Sequence, residues 1–157
     1  MTGPSTSNAV IVAASPQVAY AACLDPDALL AWLPPADMTG SFHHFEAREG
    51  GGYRMSLFYS ESETAHPGKT GEREDRVDVR FLKLDPGRRI EDAISFVTDD
   101  PQLKGEIHRV TTFEPVPDGT LVTMTFENLP PGLDPRDNAR GTEISLGQLA
   151  RYLAGPR

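Results

Sequence analysis

Seven side chains on or near strand-like segments could carry charge or move a proton: His43, His44, Arg54, His66, Glu106, His108 and Arg109. Glu106 and His108 stand two residues apart, so a strand would point both to one face as an acid–base pair for an enol or cyclisation reaction. Arg54 is the cation that could serve the same chemistry. His108 also lies two residues before the apolar Val110, which allows it an inward position. His43 and His44 are adjacent, and on a strand they point to opposite faces, so they cannot share a metal from one side. No metal site and no cofactor are expected. Cys23 is the only cysteine, which rules out an internal disulfide and a thiolate cage; in an alanine-rich helix it reads as a small buried hydrophobe. The chain has no Gly-x-Ser-x-Gly elbow, so covalent nucleophilic catalysis has no support.

A run of three glycines, Gly50 to Gly52 in "FEAREGGGYRMSLFY", raises a second kind of chemistry, the cradling of a phosphate. That reading needs a helix after the glycines, whose free N–H groups would meet the anion. The residues after Gly52 instead alternate with period two: Tyr53, Met55, Leu57 and Tyr59 share one face. The glycines therefore read as a hairpin or bulged bend between two strands.

The elements that would position these groups emerge from periodicity and punctuation. "NAVIVAAS" reads as a strand; "SPQVAYAACL" and "DPDALLAWLPP" read as helices capped by Ser15 and Asp25, each with proline at its first position. From Ser41 to Asn128 the period is two, with Val77, Val79 and Phe81, then Ile94 and Phe96, then Val122, Met124 and Phe126 each on one face. Turn clusters join these runs into an antiparallel meander with one face to be covered. The cover is a helix of roughly twenty residues capped by Asp134 and closed by Gly155-Pro156, with Thr142, Leu146, Leu149 and Leu153 as its apolar stripe. Ile144 falls on the opposite face, which leaves a homodimer open. The polar stretch from Ser60 to Arg76 reads as a solvated hairpin tip or a flap over a pocket.

At 157 residues with 38% apolar content, the chain is one domain. Residues 1–7 are small and polar and are expected to be a disordered tail ahead of a domain at 8–157. A net charge of -8 and a pI near 4.9 disfavour nucleic acid and anionic lipid. No segment has the apolar length for membrane insertion and no export signal is visible, so a cytoplasmic location is expected.

The sequence resembles the START-like, or SRPBCC, helix-grip superfamily, in the branch of homologues of the activator of the ninety-kilodalton heat-shock ATPase. The residues that carry the likeness are "SPQVAYAACLDPDALLAWLPP", "FEAREGGGYRMSL", "FLKLDPGRRI" and "NLPPGLDPRDNARGTEISLGQLARYL". The resemblance implies an α+β helix-grip fold, a curved antiparallel sheet wrapped around a long C-terminal helix. It also implies binding of a small hydrophobic molecule between that helix and the sheet. Other members are polyketide cyclase/aromatase-like enzymes or co-chaperones, and both remain alternative roles. Members usually carry Gly-Trp early in the last helix where this chain has Gly141-Thr142, a change that would enlarge or reshape the cavity. Expected ligand contacts are Trp32, Tyr53, Met55, Leu57, Tyr59, Val79, Phe81, Phe96, His108, Met124, Phe126, Thr142 and Leu146. Core packing is the alternative role for each.

Overall fold

The computed structural model describes residues 3–60 and 74–155; His66 and most of the polar stretch lie outside them. Strand β1 (Thr6–Val12) leads into helices α1 (Pro16–Ala22) and α2 (Pro26–Trp32). Six strands come next, β2 (Thr39–Glu46), β3 (Gly52–Phe58), β4 (Glu74–Asp85), β5 (Arg89–Phe96), β6 (Ile107–Val116) and β7 (Gly119–Glu127), and then α3 (Pro135–Ala154). The strands form one antiparallel sheet in the order β1-β7-β6-β5-β4-β3-β2, so β2 to β7 are a meander and β1 closes beside the last of them.

The expected caps are in place. Ser15 Oγ accepts from Val18 N at 3.2 Å, Asp25 Oδ1 from Asp27 N at 3.0 Å, and Asp134 Oδ1 from Arg136 N at 2.8 Å, each just before a proline in the first turn. Part of the expected disordered tail is strand: Thr6 and Ser7 pair with Phe126 and Thr125, because β7 offers them an edge of free backbone groups.

The glycine run is the β2–β3 connection. Gly50 and Gly52 have φ of 82° and 153°, and a Cβ on Gly52 would lie 1.9 Å from the Val79 carbonyl oxygen, so only glycine lets β3 approach β4 here. The β2–β3 register shifts between Phe42 and His44, which corrects the reading of the two histidines. The bulge turns Phe42 and Phe45 inward onto Tyr53, with ring centroids 5.1 and 5.3 Å from it, and leaves His43 and His44 both exposed. A second shift between Phe81 and Lys83 keeps Phe81 buried and puts Leu82 outside.

α3 rests against β1 and α2, at one side of the sheet. Leu146 and Leu149 are fully buried there, and polar clamps fix the helix over the turn that carries them. Gln148 Nε2 donates to the carbonyls of Trp32 and Pro34 at 2.7 and 2.8 Å, and Ser145 Oγ donates to Leu33 O at 2.6 Å. These bonds satisfy carbonyls freed where α2 ends.

Two glycine substitutions should therefore act in opposite directions in chemical denaturation. Gly52→Ala should cost at least about 1–3 kcal/mol, from its disallowed backbone and the clash with Val79. Gly147→Ala, whose Cβ would meet nothing closer than 3.8 Å, should stabilise α3 by about 0.5–1 kcal/mol.

Candidate functional site

Because α3 is clamped at one side, the concave face of the sheet is not fully covered. A cavity of about 450 Å³ lies between the first half of α3, the segment after α2 and the inward side chains of β3 to β7. Tyr53, Met55 and Leu57 of β3, Tyr59 just beyond it, Val79 of β4, Phe96 of β5, Met124 and Phe126 of β7 and Thr142 of α3 all line it, as the strand and helix periods anticipated. Val77, Ile94, Ile107 and Leu133 complete the apolar wall.

Other expected contacts lie elsewhere. Trp32 is buried under α2 with Nε1 donating to Ala22 O at 2.9 Å, and Leu146 is closed into the core; neither reaches the cavity. Phe81 packs behind it against Phe45 and Tyr53. The residues proposed for catalysis are on the outer surface. His108 stands between Glu91 and Glu127, 3.2 Å from each, Glu106 pairs with Arg80 at 3.2 Å, and Arg54 forks onto Asp78 at 2.7 and 2.8 Å. The cause is the phase of β6: Ile107, Arg109, Thr111 and Phe113 face in, so His108 and Val110 face out. Ile144, expected on an exposed face, is half-buried and lines the cavity.

The chemistry that does reach the cavity belongs to Arg109. Its Nε and Nη2 donate to the two oxygens of Asp92 at 2.9 and 2.8 Å, and Nη2 also donates to the Tyr53 hydroxyl at 3.1 Å. Asp92 and Tyr53 are each 2% exposed, and the guanidinium stands 5.9 Å from the Phe126 ring centroid. Burial opposes the charge on Arg109, but Asp92 and then Tyr53 outweigh it and raise its pKa above the usual value. Burial also raises the Tyr53 pKa, with Arg109 opposing. Nearby, burial pushes the Cys23 thiol up to about 12, against the pull of Arg109.

The sequence carried a signal for this pair. In "RIEDAISF" the period-two face of Ile90 and Ile94 also contains Asp92, an acid on a buried face that calls for a partner, and Arg109 lies on the neighbouring strand in register with it. A second polar group on the wall is Asp75, 5% exposed, whose Oδ2 accepts from the Tyr59 hydroxyl at 2.8 Å.

A seven-stranded antiparallel sheet with two short helices after its first strand and a long last helix over its concave face defines a START-like, SRPBCC-type helix-grip domain. Within that class, the chain belongs to the family described as Activator of Hsp90 ATPase homolog 1-like protein, which it matches across residues 13–154. A solved structure from Chromobacterium violaceum is 29% identical, with a TM-score of 0.85 over 97% of this chain and 98% of that one. One from Rhodobacter sphaeroides is 22% identical, with a TM-score of 0.77 over 98% and 97%. DynU16, from the dynemicin biosynthetic locus, is 19% identical with a TM-score of 0.68, covering 97% of this chain and 48% of its own. At these identities the last two speak to the fold alone. No curated protein matches the sequence.

Removing one member of the buried pair should be severe. Arg109→Met should cost about 3–5 kcal/mol in denaturant unfolding by stranding Asp92, and the double change Arg109→Met with Asp92→Leu should recover most of it. Thiol labelling at pH 8 should modify Cys23 at least about 100-fold more slowly in the folded protein than in the denatured chain, where its pKa returns to about 8.5.

Proposed function

We propose that this domain binds one small hydrophobic molecule, without covalent chemistry, in the space between α3 and the concave sheet. The observation that carries the reading is the cavity itself: about 450 Å³, walled mainly by aromatic, methionine and branched aliphatic side chains. Small-molecule sites typically span about 300–1,000 Å³ with this kind of lining. Three methionines, Met38, Met55 and Met124, give the wall the adaptability to close on ligands of differing outline. Gly141 and Thr142 contribute to the space: a Cβ on Gly141 would meet nothing within 4 Å, and the small Thr142 side chain lines the cavity.

The enzyme and co-chaperone readings have less to stand on. A cyclase or aromatase built on Glu106, His108 and Arg54 would need them at the cavity, and they are on the opposite face of the sheet. The family description suggests co-chaperone activity, and no feature of this site adds to that suggestion. Among the described residues no helix is long and apolar enough to cross a membrane. The lone unpaired cysteine fits a reducing compartment such as the cytoplasm.

An uncharged solvatochromic dye such as Nile red should bind with one-to-one saturation and a blue-shifted emission. Thr142→Trp, which fills the space from α3, should weaken that binding by at least about tenfold, or 1.4 kcal/mol, with the far-ultraviolet circular dichroism unchanged. Non-saturating fluorescence, or equal binding by the variant, would count against the cavity as the site.

A further inference from the structure

The hydrogen-bond inventory of the cavity floor is incomplete in a directed way. Arg109 spends Nε and Nη2 on Asp92 and Tyr53, while Nη1 makes no hydrogen bond among the described residues. The Tyr53 oxygen accepts from Arg109, which leaves the hydroxyl's own hydrogen with no acceptor among those residues. Nη1 is not sealed inside protein, since among the described residues the fully enclosed side-chain polar atom without a partner is Asn8 Oδ1. Both residues line the cavity, and between them they hold donors that no described residue takes. An apolar occupant with no oxygen would desolvate them without compensation, which is costly.

Charge then decides which acceptor fits. Asp92 already neutralises Arg109 through a two-point contact, so the floor offers hydrogen bonds without a net positive charge. Among the described residues, the other charged side chains on the lining are Asp37, Asp75 and Asp137 against Arg140, and even with Asp75 set aside the acids outnumber the base. An anionic ligand would bring a further negative charge into a low-dielectric space beside Asp92 and past an acidic mouth.

We infer that the cavity selects an uncharged ligand with one carbonyl oxygen, as in a ketone, ester or amide, seated on the Tyr53 hydroxyl and Arg109 Nη1, and discriminates against the matching carboxylate. This rests on the cavity being a ligand site and adds the chemical class that the site would take.

Isothermal titration with three probes of one outline tests it: acetylnaphthalene, ethylnaphthalene and naphthoate, each with the wild-type protein and with Tyr53→Phe. The wild type should bind acetylnaphthalene at least about tenfold more tightly than ethylnaphthalene, as hydrogen bonds from the two donors would give, and naphthoate most weakly. Tyr53→Phe should shrink the ketone's advantage over ethylnaphthalene, read as the ratio of the two affinities within the variant, by about threefold or more. Circular dichroism melting checks the fold of that variant, and the wild-type series decides the matter without it. Equal affinity for ketone and hydrocarbon would overturn the polar seat while leaving the cavity as a binding site. Naphthoate binding most tightly would overturn the selection for uncharged ligands. Failure of all three to bind would overturn both this inference and the ligand-site reading beneath it.

Discussion

The position of α3 rests on its packing against β1 and on a few hydrogen bonds to the end of α2. Gln148 and Ser145 take carbonyls that a helix stopped by Pro34-Pro35 leaves without partners, and Ala36 N donates back to Gln148 Oε1 at 2.9 Å. Leu146 and Leu149 then fill the seam on that side. A helix held this way cannot also settle onto the middle of the sheet, which bends through two bulges and a glycine connection. The hollow is thus a consequence of how α2 ends and of which side of the sheet α3 leans on. Close packing, the usual state of an interior, gives way here because the clamps hold the helix where side chains do not close the gap.

Into this largely apolar hollow the fold places a buried ion pair. A hydrophobic pair of similar size would often stabilise a core as well or better, so the Arg109–Asp92 contact is weak evidence of selection for stability. Its geometry is more telling. The bidentate contact locks the guanidinium plane, the Tyr53 hydroxyl joins it, and Phe126 stands close by, so the donors are fixed in direction before any ligand arrives. Preorganised polar groups in a dry wall give orientation at little entropic cost.

Most of the architecture was legible in the sequence, because the cues were local. Ser15, Asp25 and Asp134 announce helix starts through capping chemistry that depends on residues two or three positions away, and the alternation of Tyr53, Met55 and Leu57 needs only the pleat of a strand. The cavity wall came from the same periodicity. What was misread depended on phase or partners. β6 offers apolar residues at Val110 as well as at Ile107 and Phe113, and only pairing with β5, whose inward face carries Ile90 and Ile94, decides that Arg109 goes in and His108 goes out. The histidine pair was misjudged because a bulge breaks the alternation that a regular strand would impose. Ile144 falls opposite the leucine stripe, but the cavity reaches far enough around α3 to take it in.

Diffraction from crystals pressurised with xenon tests the central claim most directly, because the gas enters apolar voids and ignores close-packed interiors. The account predicts ordered xenon between α3 and the sheet, against Phe96, Met124 and Ile94. Side chains packed solidly through that space, with no xenon bound there, would contradict it.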